Sequence, residues 1–176
     1  ILVGTQLSAL KQGAEEIRCI LSDGRQISSR LLLGVDGAQS RTRELAQIGV
    51  TSWDYRQACL LINVDIAGGQ QDITWQQFTP RGPRAFLPLA GRHGSLVWYD
   101  TPERVRELQA LPLPQLAEQV RREFPERLPE FSVTAAGSFA LTRRHAQRYV
   151  NGRVVLLGDA AHTIHPLAGQ GVNLGF

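Results

Sequence analysis

The sequence contains no methionine, even at position 1, and Lys11 is its only lysine. Because a natural chain begins with methionine, we interpret these 176 residues as part of a longer protein. Arginine supplies nearly all of the positive charge, and the net charge of +3 allows weak attraction to phosphates or an anionic membrane surface without requiring either. The arginines are scattered and no nucleic-acid-binding motif accompanies them, so we expect no nucleic acid partner.

Cysteine is also scarce, and long apolar runs are missing. Cys19 and Cys59 lie in apolar, strand-like segments without metal-ligand spacing, which favours two reduced core thiols in a cytoplasmic protein. No apolar run approaches the roughly 18 residues of a membrane-spanning helix. With 43% hydrophobic and 20% charged residues, the chain is predicted to be globular.

The hydrophobic pattern predicts two interleaved parts. Residues 1–50 and 141–176 carry apolar strands followed by loops and helices, as α/β domains do. Residues 51–140 carry four β-rich runs and then two helices, which predicts an antiparallel meander with helices on one side. The first of these helices is expected to have Thr101 as its N-cap and Pro102 at its first position. The expected fold class is therefore α/β plus α+β, with an antiparallel sheet inserted into the α/β part.

Local signals give the expected elements of the first part. The Asp23-Gly24 turn predicts a hairpin, and a buried strand is expected over residues 30–35. A helix is predicted to begin after Ser40 as its N-cap and to end at Gly49.

The stretch from Arg153 onward has the chemistry of a ligand site. The apolar run 153–158 predicts a strand buried on both faces, and Asp159 follows at its carboxyl end, where open α/β sheets bind ligands. The alternative is that Asp159 caps a helix over residues 160–164. Further along, Pro166 stiffens a loop in which Gly169 and Gly171 allow backbone to approach a flat or anionic group, or simply form a glycine-rich turn.

A second stretch, "LLLGVDGAQSRTR", repeats this arrangement. Asp36 and Gly37 follow a strand, and Arg41 at the start of the next helix could contact a phosphate. The alternative is a turn and helix cap with solvated arginines. In "GQGVNLG" the glycine spacing and the distance from the strand do not fit a dinucleotide-binding turn.

No side chains stand out as catalytic or metal-binding residues. His162 and His165 lack a third and fourth ligand nearby in the sequence, so no metal is expected. Neither paired carboxylates nor a nucleophile with its base is recognisable. If the protein is an enzyme, a cofactor should carry its chemistry.

Two segments resemble the flavin-dependent aromatic hydroxylases of the para-hydroxybenzoate hydroxylase class. "GVDGAQSRTR" is similar to the class pattern G-A-D-G-x-x-S-x-x-R, and "GDAAHTIHPLAGQGVNLG" is similar to its second flavin motif. The form of that motif, with "TWQQFTPRGPRAFLPL", "SLVWYD" and "LTRRHAQRYV", resembles the ubiquinone-biosynthesis branch. The resemblance covers essentially the whole chain.

The resemblance implies a set of cofactor-binding residues and no catalytic side chain. Asp36 and Arg41 would serve both FAD and the nicotinamide nucleotide, whereas Gly158 and Asp159 would hold the ribityl chain. The residues implied along the isoalloxazine ring are Pro166, Gly169, Gln170, Gly171, Val172 and Asn173.

The resemblance also implies the reaction and its partners. FAD reduced by NAD(P)H would react with O₂, and a flavin hydroperoxide would hydroxylate the ring of a polyprenyl benzoquinol. Residues 51–140 would form the substrate lobe, and 1–50 with 141–176 a partial, Rossmann-like FAD-binding lobe. A polyprenyl tail implies a cytoplasmic protein peripheral to the inner membrane, in contact with the membrane or with a biosynthetic complex.

Members of this class carry a G-x-G-x-x-G turn for the ADP half of FAD, and these 176 residues contain none. We therefore expect them to bind FAD weakly and to be inactive by themselves. Two alternatives stay open: a flavoprotein hydroxylase or reductase with another phenolic substrate, and a non-catalytic binding or assembly module.

Overall fold

The computed structural model of the chain describes residues 1–175 and divides into two compact units. Unit 1 comprises Ile1–Trp53 and the chain from Thr142 onward, and unit 2 comprises Asp54–Leu141. The predicted class, α/β with an inserted antiparallel sheet, is confirmed. Within the described residues, no helix combines the length and the apolar character needed to cross a bilayer.

Unit 1 contains two small sheets of its own. Strands β1 (Leu7–Gln12), β2 (Ile17–Leu21) and β3 (Gln26–Ser29) form an antiparallel sheet in that order, and the predicted Asp23-Gly24 turn joins β2 to β3. Strands β4 (Leu32–Gly34), β10 (Val150–Asn151) and β11 (Val154–Leu156) form the second sheet in the order β10-β11-β4, with β11 parallel to β4. Helix α1 (Arg41–Leu45), two 3₁₀ turns (Gly158–Ala160 and Pro166–Ala168) and helix α4 (Gly171–Gly175) complete the unit.

A six-stranded sheet has the order β12-β9-β5-β8-β7-β6. Its strands are β5 (Val50–Ile66), β6 (Trp75–Thr79), β7 (Gly82–Pro88), β8 (His93–Asp100), β9 (Phe131–Ala146) and β12 (His162–Thr163). The long strands β5 and β9 each run from one unit into the other along the chain. Helices α2 (Pro102–Gln109) and α3 (Leu113–Glu123) follow β8.

The prediction of a simple four-stranded meander was partly wrong. Strands β6, β7 and β8 pair consecutively, but β5 pairs with β8 and not with β6. In this register Leu60 lies opposite Trp98 and Ile62 opposite Leu96, and all four side chains are buried. Alternation of apolar residues specifies a strand and its buried face, but it does not specify the neighbouring strand.

The core of unit 2 lies between this sheet and the two helices. The buried side chains of β5, β7 and β8 pack against Val105 and Leu108 of α2 and against Leu116 and Val120 of α3. Helix α2 begins as predicted, with Thr101 as N-cap and Pro102 at the first position. The opposite face is partly exposed: Leu61 and Leu87 are more than a third exposed, whereas Cys59 and Tyr99 are buried in a smaller cluster with Leu141.

The two strands predicted to be buried in unit 1 are shorter and more exposed than expected. In β11 both Val154 and Leu156 are buried, but Leu157 beyond its end is 40% exposed. Strand β4 lies at the edge of its sheet within the described residues, and Leu33 is half exposed. An apolar run alone does not distinguish a central strand from an edge strand.

The helix after Ser40 also ends earlier than predicted. Ser40 is its N-cap, accepting a hydrogen bond from the Arg43 N–H, but α1 stops at Leu45 and not at Gly49. Gln47 has a φ of +54°, a left-handed conformation that ends the helix. The turn that follows allows Ala46 and Ile48 to be buried in the core of unit 1.

Candidate functional site

A cleft of about 570 Å³ opens in unit 1 where three chain segments meet. Its volume lies within the range of roughly 300–1,000 Å³ that is usual for small-molecule sites. The lining residues are Val35, Gly37, Leu157, Gly158, Asp159, Gly171, Val172 and Gly175.

The parallel pairing of β4 and β11 creates this cleft. Leu32 lies opposite Val154 and Gly34 opposite Leu156, so both strands end at the same edge of the sheet. The Leu157 N–H donates to the Gly34 carbonyl at 3.0 Å, which holds the two strand ends side by side. Ligands of open α/β sheets bind beyond such carboxyl ends.

Glycine forms much of the wall, but the structural reason for having glycine differs from one position to the next. Gly37 and Gly158 have φ values of +79° and +57°, which side-chain-bearing residues rarely adopt. A Cβ built on Gly175 would lie 3.3 Å from the Gly158 Cα, so α4 packs closely on the 3₁₀ turn. Gly171 has no positive φ, and a Cβ there would meet no protein atom within 4 Å. The packing of the described chain therefore does not require glycine at position 171.

Asp159 is the acidic residue of the cleft. It is exposed, and the described residues donate no hydrogen bond to its carboxylate. The alternative role, a cap for a helix over residues 160–164, is wrong because residues 162–163 form β12, paired with β9. The carboxylate is therefore available to a ligand in the cleft.

Asp36 is engaged by the protein itself. Its Oδ1 accepts a hydrogen bond from the Ser40 hydroxyl at 2.5 Å, and its Oδ2 accepts one from the Thr42 N–H at 2.9 Å. Partial burial opposes ionisation, but the bonds from Ser40 and Thr42 outweigh it and hold the pKa of Asp36 below its ordinary value. Asp36 thus fixes the start of α1 beside the cleft, and only its neighbours Val35 and Gly37 line the wall.

The structure gives the two arginines of α1 different roles. Arg41 is exposed and pairs with Glu44 at 3.0 Å, and it does not line the cleft. Arg43 is 7% exposed, and its guanidinium donates to the Ala38 carbonyl at 3.0 Å and to the Ala160 carbonyl at 2.9 Å. It therefore joins the loop after β4 to the loop after β11.

Sequence reasoning missed Arg43, although the signal was present. In the pattern D-G-x-x-S-x-x-R the arginine stands three residues after the serine, and in this sequence that position is Arg43 and not Arg41. The cleft residues Val35 and Leu157 were missed for another reason. Both are apolar residues at strand ends, and such residues are usually assigned to the core.

Besides Asp36 and Arg41, four of the predicted site residues do not line the cleft: Pro166, Gly169, Gln170 and Asn173. Pro166 opens the second 3₁₀ turn, and Gly169 closes it with a φ of +63°. The Asn173 side-chain amide donates to the Gln170 Oε1 at 3.0 Å. The structure brings together Gly158, Asp159, Gly171 and Val172, and the other four shape the connection between them.

The chain is similar to known flavoproteins along its whole length. Residues 1–176 match the family model described as FAD binding domain. The chain is 54% identical over 156 residues to 3-demethoxyubiquinol 3-hydroxylase of Escherichia coli (strain K12), an alignment covering 89% of this chain and 40% of that protein. It is 36% identical to the ubiquinone hydroxylase UbiL of Rhodospirillum rubrum, with 99% and 41% of the two chains covered.

A solved structure agrees with the fold. The crystal structure of aklavinone-11 hydroxylase with FAD and aklavinone superposes with a TM-score of 0.78 at 21% identity, covering 97% of this chain and 34% of that one. At this identity the likeness shows the fold alone. The chain spans about 40% of the length of the curated relatives named above. Since the family model matches every residue, the chain belongs to the FAD-binding domain family.

Proposed function

We propose that the whole protein is an FAD-dependent monooxygenase that hydroxylates the ring of a polyprenyl benzoquinol in ubiquinone biosynthesis, using NAD(P)H and O₂. The observation that carries the proposal is the cleft beyond β4 and β11, in which four of the eight lining residues are glycines. Gly171 is its most informative residue, because the chain's own packing leaves open space where a side chain would be. A planar ring lying against the backbone accounts for that space.

The residues of the cleft fit the isoalloxazine and ribityl part of FAD. The Asp159 carboxylate can accept hydrogen bonds from ribityl hydroxyls, and Gly158 allows the ribityl chain to come close. Gly171 and Val172 would lie along the ring, while Asp36 and Arg43 hold the surrounding loops in place. An FAD held there and reduced by NAD(P)H would supply the oxygen-activating chemistry, while the protein would orient the substrate ring and exclude water.

The substrate class is supported by unit 2 and by the relatives. Leu61 and Leu87 lie on the sheet face opposite α2 and α3, and each is more than a third exposed. An apolar sheet face suits a polyprenyl tail. The two relatives are named as hydroxylases of ubiquinone or its precursor. The segment 74–89 most resembles the hydroxylase of 2-octaprenyl-3-methyl-6-methoxy-1,4-benzoquinol. A lipid-soluble tail would bring the protein to the inner membrane surface from the cytoplasm.

The first test is a visible absorption spectrum of the whole protein, purified from its own start codon. We expect bound oxidised flavin, and NAD(P)H oxidation that yields a product heavier by one oxygen atom when a prenylated benzoquinol is supplied. A protein that stays colourless with added FAD would contradict the proposal and favour a binding or assembly module. A flavoprotein that oxidises NAD(P)H without adding oxygen would favour a reductase.

A matched pair of variants tests the cleft itself. Gly171→Val places a side chain in the space assigned to the ring, so we expect at least about a tenfold loss of FAD affinity with little change in the unfolding of the FAD-free protein. Gly68→Val is the control, because Gly68 lies exposed in a turn of unit 2 with only Gln71 near its Cβ position. Equal FAD affinity in both variants would show that the ring does not lie at Gly171.

A further inference from the structure

Three aromatic side chains of unit 1 converge on one point outside the cleft. Strand β12 pairs with β9 so that His162 lies directly opposite His145. Cross-strand neighbours of this kind share one face of the sheet. The Tyr149 hydroxyl lies 3.0 Å from His145 Nε2 and 3.2 Å from His162 Nδ1. The three rings stack, with centroids 5.4 to 6.4 Å apart.

The hydrogen bonds show which nitrogen atoms of the two histidines carry protons. His145 Nδ1 lies 3.0 Å from the Ala146 carbonyl, which can only accept, so Nδ1 carries the proton and the Nε2 lone pair is directed at Tyr149. A histidine held by a backbone carbonyl in this way has the arrangement usual for metal ligands. Tyr149 has a single hydroxyl proton, and if it is donated to His145, then His162 Nδ1 must donate its own proton to the phenol oxygen.

The spacing of the three atoms fits a four-coordinate metal ion. Ligands bound at about 2.0–2.1 Å lie about 3.3 Å apart in a tetrahedron, and neighbouring ligands lie about 2.9 Å apart in the square plane that is usual for Cu²⁺. The Tyr149 oxygen lies 3.0 Å from the His145 nitrogen and 3.2 Å from the His162 nitrogen, which is between these two values. No group of three or more His, Cys, Asp or Glu side chains in the described residues could hold a metal, so this cluster depends on the phenol as its third donor.

We propose that His145, Tyr149 and His162 bind one divalent transition-metal ion, Cu²⁺ more tightly than Zn²⁺, with water in the fourth position. The order of affinity follows the general preference of nitrogen and oxygen sites for Cu²⁺. On binding, the ion takes lone pairs from His145 Nε2, His162 Nδ1 and the Tyr149 oxygen. The Tyr149 proton is released to solvent, and the proton of His162 Nδ1 is exchanged through solvent for one on its other ring nitrogen.

The surroundings permit the ion to enter. His145 and Tyr149 are exposed and His162 is half-buried. The two arginines that precede His145 in the chain are engaged elsewhere: Arg143 lies over the Trp53 ring at 4.4 Å, and Arg144 donates to the Ala38 carbonyl at 3.3 Å. A bound ion would fasten β12 to β9. Because β12 lies in the chain between Asp159 and Pro166, it would also stiffen the loop that borders the cleft.

The test is a Cu²⁺ titration of the whole protein, followed by electron paramagnetic resonance and visible absorption. We expect one Cu²⁺ bound with two nitrogen ligands at about micromolar concentration, and at least about tenfold weaker binding in His145→Gln and in His162→Gln. Tyr149→Phe should abolish the phenolate-to-copper absorption band while leaving nitrogen ligation. It is also the mildest change, so it keeps the test valid if a histidine variant fails to fold. His93→Gln is the control, since His93 lies in unit 2 and bonds Asp65 at 2.7 Å.

Two results would overturn the proposal. The first is the absence of stoichiometric Cu²⁺ binding to the folded protein. The second is Cu²⁺ binding that is unchanged in both His145→Gln and His162→Gln, which would assign the ion to other histidines. Proton release measured with Zn²⁺ in two buffers of different ionisation enthalpy gives a further readout, because a purely structural cluster would release no proton.

Discussion

At the scale of single residues, Gly34 shows how tightly α1 packs on the second sheet of unit 1. A Cβ there would lie 2.8 Å from Leu156 Cδ2 and 2.9 Å from Thr42 Cγ2, and both of those side chains are buried. We therefore expect Gly34→Ala to destabilise the protein by about 1–3 kcal/mol in urea unfolding. Gly137→Ala is the matched control, because Gly137 also lies in a strand and its Cβ position is open. Equal effects of the two changes would contradict this account of the packing.

Arg43 and Arg41 give a second comparison at this scale. Arg43→Met removes hydrogen bonds to the Ala38 and Ala160 carbonyls in a buried position, so a loss of about 2–4 kcal/mol in unfolding free energy is expected. Arg41→Met removes only an exposed pair with Glu44 and should change the unfolding free energy little. Chemical denaturation of both variants measures the difference. Similar destabilisation by both would show that Arg43 does not join the two loops.

Asp36 gives a prediction for pH. Its pKa is lower in the folded protein than the ordinary value of about 3.9, so its stabilising effect is fully present above about pH 5 and is lost as the pH falls through the folded pKa. The difference in unfolding free energy between the wild type and Asp36→Asn should therefore be constant near neutral pH and shrink in acid. Urea unfolding at a series of pH values measures it. A difference that does not change with pH would mean that the ionised carboxylate does not stabilise α1.

At the scale of elements, a buried ion pair joins β7, β8 and α2. Arg84 donates to the Asp100 Oδ2 at 3.1 Å, and both side chains are almost fully buried. The Trp98 indole N–H and the Thr101 N–H also donate to the Asp100 carboxylate, which ties the end of β8 to the N-cap of α2. Burial lowers the pKa of Arg84, and the charge of Asp100 opposes that effect.

Because removing one partner leaves a buried charge unpaired, Asp100→Asn is expected to cost about 3–5 kcal/mol of stability in thermal or urea unfolding. The control is Glu103→Gln, which removes an exposed pair with Arg106 and should have little effect. A small loss for Asp100→Asn would show that the neutral amide satisfies Arg84, Trp98 and Thr101 equally well.

The element scale also shows how far local signals reach. The Asp23-Gly24 hairpin and the Thr101 cap depend on residues close in the chain, and both predictions were confirmed. The partner of β5 and the end of α1 were predicted wrongly. The partner of β5 depends on which strand offers buried apolar side chains at matching positions. The end of α1 depends on the burial of Ala46 and Ile48 in a core that residues distant in the chain also form.

At the scale of the whole molecule, the expectation that these residues bind FAD weakly by themselves stays a prediction. The sequence contains no G-x-G-x-x-G turn for the ADP half, and the function proposed above assigns the cleft to the isoalloxazine and ribityl half. We expect the whole protein to retain stoichiometric FAD through gel filtration and residues 1–176 to lose it. Stoichiometric FAD or NADPH oxidation with residues 1–176 would contradict this expectation.

The sequence by itself determined the fold class, the family and the two loops that carry the candidate site, because the motifs Asp36-Gly37 and Gly158-Asp159 are contiguous in the chain. Tertiary structure decided which residues of those loops meet. The parallel register of β4 and β11 brought Gly37 and Gly158 into the wall of one cleft and buried Arg43 between the two loops. The antiparallel pairing of β12 with β9 also brought His145 opposite His162. Those contacts depend on strand register and packing between distant segments, which spacing along the chain does not encode.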